Sequence, residues 1–353
     1  MKISFKSRSP IGIDVGSRNM KVAQLCTAAD KRQEISATSV VPRTNAGAEI
    51  NLEEAISLRR VLQRQGFRGD RVVLAAHEDK LLRGIFDIPG QISEDAMEQI
   101  ARMELSRMHD VAPDSFEMIC WEPLNTGKSK TKRQTVALAC PHDAANIYID
   151  TFEQAGFKVC ALDARSAAVA RACKSLTLSP PAVTAILDLG WKSTRLLFLC
   201  GEAVVYERLL EEKSICTLAS DLRDKFGIAE ESAYTVIASI GFGTFEEAPE
   251  LDQQSVGFIR GILVRYFEAM KNELKTPLAY VSREHGGKGT ERMLLVGSGA
   301  MFPGISEYLA ESFNMEVLTA APSELLPSPA HVRTKACNTA LTVACGLALF
   351  EMR

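Results

Sequence analysis

The sequence predicts an α/β fold made of two structurally related halves. Stretches typical of strands alternate with stretches typical of helices along most of the 353 residues. A strand that ends in an Asp-x-Gly turn and leads into a second strand occurs twice, at Asp14 and again at Asp188, about half the chain later. Between them lies Pro180-Pro181, and neither proline can continue a helix. We therefore expect the boundary between the halves at these prolines.

The first half opens with a strand hairpin. Two short apolar runs separated by a glycine turn predict its strands at 11–15 and 20–25. An apolar stripe at helical spacing predicts a helix over 52–65, which Gly66 ends, and a buried strand follows at 71–76. Later in this half we expect a helix, a strand and a helix, at 144–155, 159–162 and 164–174.

Between these parts the pattern changes over residues 81–141, where we expect an inserted α+β subdomain. Ser93 is placed to cap a helix that runs to about Met108. The predicted strands of the insert lie at 81–88, 116–121 and 134–140. The basic stretch 125–133 is interpreted as a solvated hairpin loop rather than as a nucleic-acid or lipid site.

The second half repeats the opening of the first and then becomes helical. Its predicted strands lie at 184–190, 193–199 and 203–209, and its predicted helices at 215–226, 230–240 and 255–275. A buried strand at 292–296 ends in Gly297-Ser298-Gly299, and a final helix is predicted over 336–352. The stretch 286–290 lacks the first glycine of a P-loop and no strand leads into it, so we expect a loop there.

Charge and cysteine usage exclude several classes of function. The 41 basic and 44 acidic residues give a net charge of −3, which argues against nucleic acid as the main partner. No apolar run is long enough to cross a bilayer and the N-terminus lacks a signal-peptide core, so a cytoplasmic location is expected. The nine cysteines form no C-x-x-C pair and the five histidines have no i, i+4 partners, so no zinc site is predicted.

The repeated Asp-x-Gly turns, together with the glycine turn at 297–299, suggest a phosphate site. Backbone N–H groups of a tight turn can hold phosphate oxygens, and an aspartate at a strand end can hold the water shell of Mg²⁺. One such turn is more often only a tight turn. Two in equivalent places would clamp a polyphosphate between the halves, which makes the pair the stronger indication.

These three turns resemble the phosphate-1, phosphate-2 and adenosine motifs of the actin/Hsp70/sugar-kinase ATPase superfamily. Within it, the chain is similar over nearly its whole length to the PilM family of type IV pilus assembly proteins. The specific likeness lies in Ile88-Pro89, in Glu104 and Pro113, in the segment 139–172 and in the terminal Gly-Leu-Ala-Leu. The resemblance implies an α/β, actin-like (ribonuclease H-like) two-domain fold with a small α+β subdomain inserted in the first half.

The resemblance also implies how the chain divides. The first half would span 1–180, with a core at about 10–80 and 142–180 and the insert at about 81–141. The second half would span 181–335, with a smaller subdomain at about 213–285. The helix at 336–353 would return to the first half.

ATP or ADP with Mg²⁺ is the cofactor that the resemblance implies, and Asp14 and Asp188 would hold the metal. The other expected cofactor-binding residues are Gly16, Ser17, Arg18, Asn19, Lys21, Gly190, Lys192, Ser193, Thr194, Gly297, Ser298 and Gly299. The chain departs from the family pattern at 214–219, at 233–237 and at Trp191, a large ring in the second turn. These departures argue against tight ATP binding and more strongly against hydrolysis.

The implied function is a cytoplasmic scaffold that reaches the inner membrane through protein partners. Its expected partner is the N-terminal tail of a PilN-like inner-membrane protein, held in a groove between the first core and the insert. The expected groove residues are Met97, Ile100, Ala101, Glu104 and Met108. Pilus ATPases and a second copy of the chain are further implied partners; nucleic acid and direct membrane insertion are not expected.

Two other classes of function stay open at this point. A sugar or acetate kinase of the same superfamily needs a carboxylate in the cleft to deprotonate its acceptor, and Asp163 is the candidate. A filament-forming protein similar to FtsA is the other alternative.

Overall fold

The computed structural model describes residues 7–27, 32–90, 92–122, 132–210, 212–242, 253–284 and 289–350. The expectations for the loop at 125–131, for residues 286–288 and for the last three residues fall outside these ranges. In the described part of the chain, no helix combines the length and the apolar character that crossing a membrane requires.

The first half is built on a five-stranded sheet. Its strands are β1 (Ile11–Val15), β2 (Asn19–Thr27), β3 (Gln33–Pro42), β4 (Arg71–Ala75) and β8 (Lys158–Asp163). They lie in the order β3-β2-β1-β4-β8, with the first three antiparallel and the last two parallel to β1. The helices of this half are α1 (Leu52–Arg64), α3 (His142–Gln154) and α4 (Arg165–Cys173). Leu58 of α1 and Phe152 of α3 are fully buried in the core that these helices form with the sheet.

The insert is a three-stranded antiparallel sheet covered on one face by a helix, as the sequence patterns predict. Its strands are β5 (Leu82–Pro89), β6 (Phe116–Trp121) and β7 (Lys132–Pro141), in the order β5-β7-β6. Ser93 caps helix α2 (Glu94–His109), because its side chain accepts a hydrogen bond from the Ala96 N–H. Phe116 and Leu105 belong to the small core between helix and sheet.

The second sheet has the same topology as the first. Its strands are β9 (Val183–Leu189), β10 (Thr194–Cys200), β11 (Ala203–Leu210), β12 (Arg292–Val296) and β13 (Glu316–Thr319). Their order is β11-β10-β9-β12-β13, again with three antiparallel strands and two parallel ones. This shared order is what the repeated turns predict for two related halves.

Helices cover the second sheet and then lead back to the first. Two of them, α5 (Ile215–Phe226) and α6 (Glu230–Ile240), have the predicted bounds. For α5 these bounds follow from Ser214, which caps the helix, and from Gly227, which ends it. The others are α7 (Gln253–Glu284), α8 (Ile305–Phe313), α9 (Pro322–Leu325), α10 (Ala330–Ala336) and α11 (Thr342–Ala348). Helix α7 continues beyond the predicted end at 275 and contains Pro277.

The prediction of one continuous helix from 336 is wrong, because the helical structure is interrupted between α10 and α11. The Asn338 side chain accepts a hydrogen bond from the Ala340 N–H, a short 3-10 turn follows, and α11 begins only at Thr342. Helix α11 packs on β1, β2 and α4. A Cβ on Gly346 would run into the Ala168 carbonyl, so this glycine lets α11 and α4 cross closely between the two sheets.

Candidate functional site

A cavity of about 370 Å³ lies between the two halves, at the turns that the sequence singles out. This size falls within the range of small-molecule sites. The predicted cofactor residues that line it are Asp14, Gly16, Ser17, Arg18, Asn19, Lys21, Asp188, Gly190, Lys192, Ser193, Gly297 and Ser298. The turns that the sequence predicts to meet thus do so.

Two of the predicted cofactor residues lie elsewhere. Thr194 is fully buried in β10, and it is the next residue, Arg195, that lines the cavity. Gly299 is buried as well, and a Cβ there would press on Leu189 and Ile215. Gly299 therefore serves packing beneath the second turn.

Neighbouring backbone fixes both turns. In the first, the Gly16 N–H donates to the Asn19 carbonyl at 3.0 Å, and the Gly47 N–H donates to the Ser17 carbonyl at 2.8 Å. In the second, the first residues of α5 donate to the turn, with the Cys216 N–H 2.8 Å from the Trp191 carbonyl. The second turn is thus held by the helix that follows β11.

The third turn packs directly against the second. Gly297 has a φ of +84°, which favours glycine, and a Cβ there would collide with the Asp188 carboxylate. Thr339 holds this turn from the other side, because its hydroxyl donates to the Gly297 carbonyl at 2.6 Å. Only glycine fits at this approach.

The first and second turns also contact each other across the mouth of the cavity. The Arg18 guanidinium lies 4.6 Å from the ring centroids of both Trp191 and Tyr234 and pairs with Glu231. Lys192 makes a second link, 3.0 Å from Asp79 of the first half. Trp191, which departs from the family pattern, therefore takes part in a cation–π contact between the two halves of the molecule.

The floor of the cavity holds two buried carboxylates with one guanidinium between them. Arg165, the first residue of α4, donates from Nη1 to Asp14 Oδ1 and from Nη2 to Asp188 Oδ2, the latter at 3.3 Å. The Lys21 ammonium lies 3.4 Å from the other oxygen of Asp14. Burial opposes ionisation of Asp14, but Arg165 and then Lys21 outweigh it and hold the pKa of this carboxyl below its usual range.

The predicted Mg²⁺ at Asp14 and Asp188 does not fit this arrangement. Mg²⁺ needs an octahedral shell of oxygen ligands, supplied by one or two carboxylates, waters and substrate phosphates, and here the Arg165 guanidinium lies between the two carboxylates. Among the residues that the structure describes, no group of three or more His, Cys, Asp or Glu is arranged to hold a metal ion.

A second ionic cluster beside the cavity ties the insert to the second half. Arg195 of β10 lies 2.8 Å from Glu78 and pairs with Glu207 of β11, while Arg83 of β5 pairs with Glu78 and lies 3.7 Å from Glu207. Burial opposes ionisation of Glu78, but Arg195 and Arg83 outweigh it and lower the pKa of this carboxyl. The cluster joins groups from three parts of the chain.

Sequence reasoning missed Arg165, Glu78 and Arg195 as members of the site. Arg195 carries a signal, because it is the one charged residue in strand β10 and precedes the apolar run 196–199. Arg165 carries another, because a positive charge in the first turn of a helix opposes the helix dipole. Glu78 carries no comparable sequence signal.

The helix proposed as a wall of the partner groove is only partly open. Met97 and Ala101 are buried in the core of the insert, and Ile100 packs against that core. Met97 and Ala101 therefore cannot line a groove without unpacking the insert, whereas Ile100 is partly exposed. Glu104 and Met108 lie on the outside, with Met108 55% exposed.

Asp163, the carboxylate considered for a kinase, is not among the residues that line the cavity. It pairs with Arg171, and burial raises the pKa of its carboxyl in spite of that partner. Its contacts are those of a structural ion pair between the end of β8 and the last turn of α4.

Comparison with known proteins agrees with this architecture. The solved PilM-PilN type IV pilus biogenesis complex matches with a TM-score of 0.77 at 18% identity, over 97% of this chain and 98% of that one. The ethanolamine utilization protein EutJ from Carboxydothermus hydrogenoformans matches with a TM-score of 0.54 at 14% identity, over 99% and 92%. MreB5 of Spiroplasma citri bound to ADP matches with 0.52 at 14%, over 98% and 96%.

At these identities the structural likeness concerns the fold, and it confirms the predicted actin-like α/β architecture. No curated protein matches the sequence at a significant level. The family model for type IV pilus assembly protein PilM matches residues 12–352, nearly the whole chain. The chain therefore belongs to the PilM family of type IV pilus assembly proteins.

Proposed function

We propose that this chain is a cytoplasmic scaffold of type IV pilus assembly that holds a nucleotide between its halves and reaches the inner membrane through a protein partner. The observation that carries the proposal is the meeting of two equivalent turns across one cavity in a chain of this family. In this proposal the first half is 1–180 with the insert 81–141, the second is 181–335, and the last segment returns to the first half.

The proposed ligand of the cavity is ATP or ADP. Its phosphates lie against the turns at Gly16 and Gly190, and Gly297 and Ser298 let the nucleoside approach the backbone. A nucleotide that touches both turns stabilises the closed arrangement of the halves. It acts by shifting the population of interdomain angles, without turnover.

Thermal unfolding with and without ATP tests this ligand. A ligand at 100 times its Kd raises the free energy of unfolding by about 2.7 kcal/mol. Ser193→Glu adds a negative charge in the second turn and should abolish the shift. Ser239→Glu, the same change on the exposed face of α6, should retain it. No shift in the wild type contradicts nucleotide binding.

The proposed partner is the N-terminal tail of a PilN-like inner-membrane protein, bound where the insert meets the first core. Two exposed apolar side chains support this place: Met108 at the end of α2 and Ile147 on α3, which is 64% exposed. Beside Ile147 lies a recess of about 80 Å³ lined by His77, Lys80 and Tyr148. Helix α3 follows β7 of the insert directly.

In this proposal the groove is lined by the exposed side chains of α2 and not by its buried ones, Met97 and Ala101. Glu104 and Met108 stay in the groove, and Ile147 joins them from the core side. An apolar tail would suit this surface, because Met108 and Ile147 are its exposed apolar groups and Glu104 is already paired with Arg107. Pilus ATPases and a second copy of the chain are further partners that we propose for other surfaces.

Binding of a labelled PilN N-terminal peptide tests the groove. Met108→Asp and Ile147→Asp should each weaken binding about tenfold or more, because each places a charge on an apolar contact. Ile119→Asp is the matched control: Ile119 is 58% exposed, in the same insert, on the open face of its sheet. Equal loss in all three variants, or no binding by the folded wild type, contradicts the proposed groove.

A further inference from the structure

The strongest unexplained feature of the molecule is the position of Arg165. It is the first residue of α4, where the helix dipole favours an acidic residue and disfavours a cation. Its side chain reaches from the first half to the carboxylates of both halves. A residue that breaks a local rule and bridges two buried charges has a role beyond local structure.

The charges around Arg165 balance without a metal ion. Asp14 and Asp188 carry two negative charges, and both are at most 5% exposed. Arg165 and Lys21 supply two positive charges, the same charge as one divalent cation. A guanidinium stays protonated at every physiological pH, so this compensation is permanent.

More basic than acidic side chains line the cavity, and most of the basic ones already have an acidic partner. Seven basic and five acidic side chains line it. Arg18 and Lys192 pair with Glu231 and Asp79 at the mouth, whereas Lys21 and Arg165 lie at the floor with Asp14 and Asp188. The planar fork of an arginine matches phosphate oxygens as well as carboxylates.

We propose that Arg165 takes the place of the divalent cation, so that the cavity binds a metal-free polyphosphate nucleotide. The inference rests on the proposed nucleotide and specifies its form. The guanidinium keeps one edge on Asp14 and Asp188 and turns the other toward the phosphates. Lys21 supplies the second positive charge, and Mg²⁺ competes with the protein for the nucleotide.

The first test follows Mn²⁺ by electron paramagnetic resonance in the nucleotide-free protein. The wild type should bind no Mn²⁺ in the cavity. Arg165→Gln should bind one ion per chain, because it removes the cation that Asp14 and Asp188 share, and adding Asp188→Asn should remove that ion. Arg171→Gln, an arginine of the same helix paired with one carboxylate, should gain nothing. Mn²⁺ binding by the wild type that Asp188→Asn abolishes overturns the proposal.

The second test measures the thermal shift by ATP in EDTA and in excess Mg²⁺, and it needs only the wild type. The shift in EDTA should be at least as large as in Mg²⁺. A shift that EDTA abolishes overturns the role of Arg165 and leaves the proposed nucleotide standing. No shift in either buffer overturns the proposed nucleotide, and with it the metal-free ligand. Mn²⁺ resonance then decides separately whether Arg165 replaces the cation.

Discussion

Each half places an aspartate opposite a basic residue on its first two strands, but the basic residue has different ion-pair partners in the two halves. Asp14 of β1 lies opposite Lys21 of β2, and Asp188 of β9 lies opposite Arg195 of β10. Each residue of the second pair follows its counterpart by 174 positions. Lys21 stays with Asp14, whereas Arg195 turns to Glu78 and Glu207.

This difference explains why the halves depend on each other. With Arg195 committed to Glu78 and Glu207, Asp188 is compensated from the other half, by Arg165. A buried carboxylate without a partner is costly, so separating the halves exposes or strands a charge. The two halves are therefore coupled, because the buried Asp188 of the second half depends on Arg165 of the first.

Removing Arg165 should have the largest effect on stability. Arg165→Ala leaves Asp14 and Asp188 facing each other without their shared cation, and breaking a buried pair costs about 3–5 kcal/mol. Chemical denaturation measures this loss. Arg107→Ala is the control, because its ion pair with Glu104 lies on the surface and should leave the midpoint unchanged. Equal effects of the two variants would contradict the account.

The close approach of α11 to the first sheet should give the next largest effect. A Cβ on Gly12 would collide with the Ala344 carbonyl, so Gly12→Ala should cost about 1–3 kcal/mol. The equivalent position of the second sheet, 174 residues later, is Ile186, which is fully buried. Ile186→Val should cost about 0.5–1.5 kcal/mol, through lost packing. A Gly12→Ala variant as stable as the wild type would contradict the close approach of α11 to the first sheet.

The contact between the turns should contribute less. Arg18→Ala removes a guanidinium from Trp191 and Tyr234 and should cost about 1–2 kcal/mol. In a Trp121→Phe background, Trp191 is the sole tryptophan, so its fluorescence reports this contact directly. An emission maximum that Arg18→Ala leaves unmoved would mean that the turns do not meet in solution.

The smallest expected effect is that of acid on the Glu78 cluster. The folded pKa of Glu78 is lowered, so its stabilisation is full above the unfolded value of about 4.3 and is lost as pH falls through the folded pKa. The stability difference between wild type and Glu78→Gln should therefore shrink from about pH 6 to about pH 3. Denaturant titrations at each pH measure it; a constant difference would contradict the ionised cluster.

The repeated halves were predictable because their signals are local. An Asp-x-Gly turn after an apolar run marks both hairpins, and Ser214 and Gly227 mark the ends of α5. The break after α10 was not predictable, since it depends on how Asn338 bonds within its own turn and on where α11 packs.

The cavity floor escaped prediction because its partners are far apart in sequence. Arg165 meets Asp14, 151 positions away, and its unusual place at the start of α4 does not identify that partner. Met97 and Ala101 were assigned to a groove for a related reason: the spacing identifies the apolar face of α2, and only the sheet above it shows that this face is covered.

Calorimetric titration of ATP into the wild-type chain in EDTA tests the central claim most directly. The account predicts heat with one nucleotide per chain, and weaker apparent binding when Mg²⁺ is added in excess over the nucleotide. Heat that appears only with Mg²⁺ would contradict the replacement of the ion by Arg165, and no heat in either buffer would contradict the nucleotide site itself.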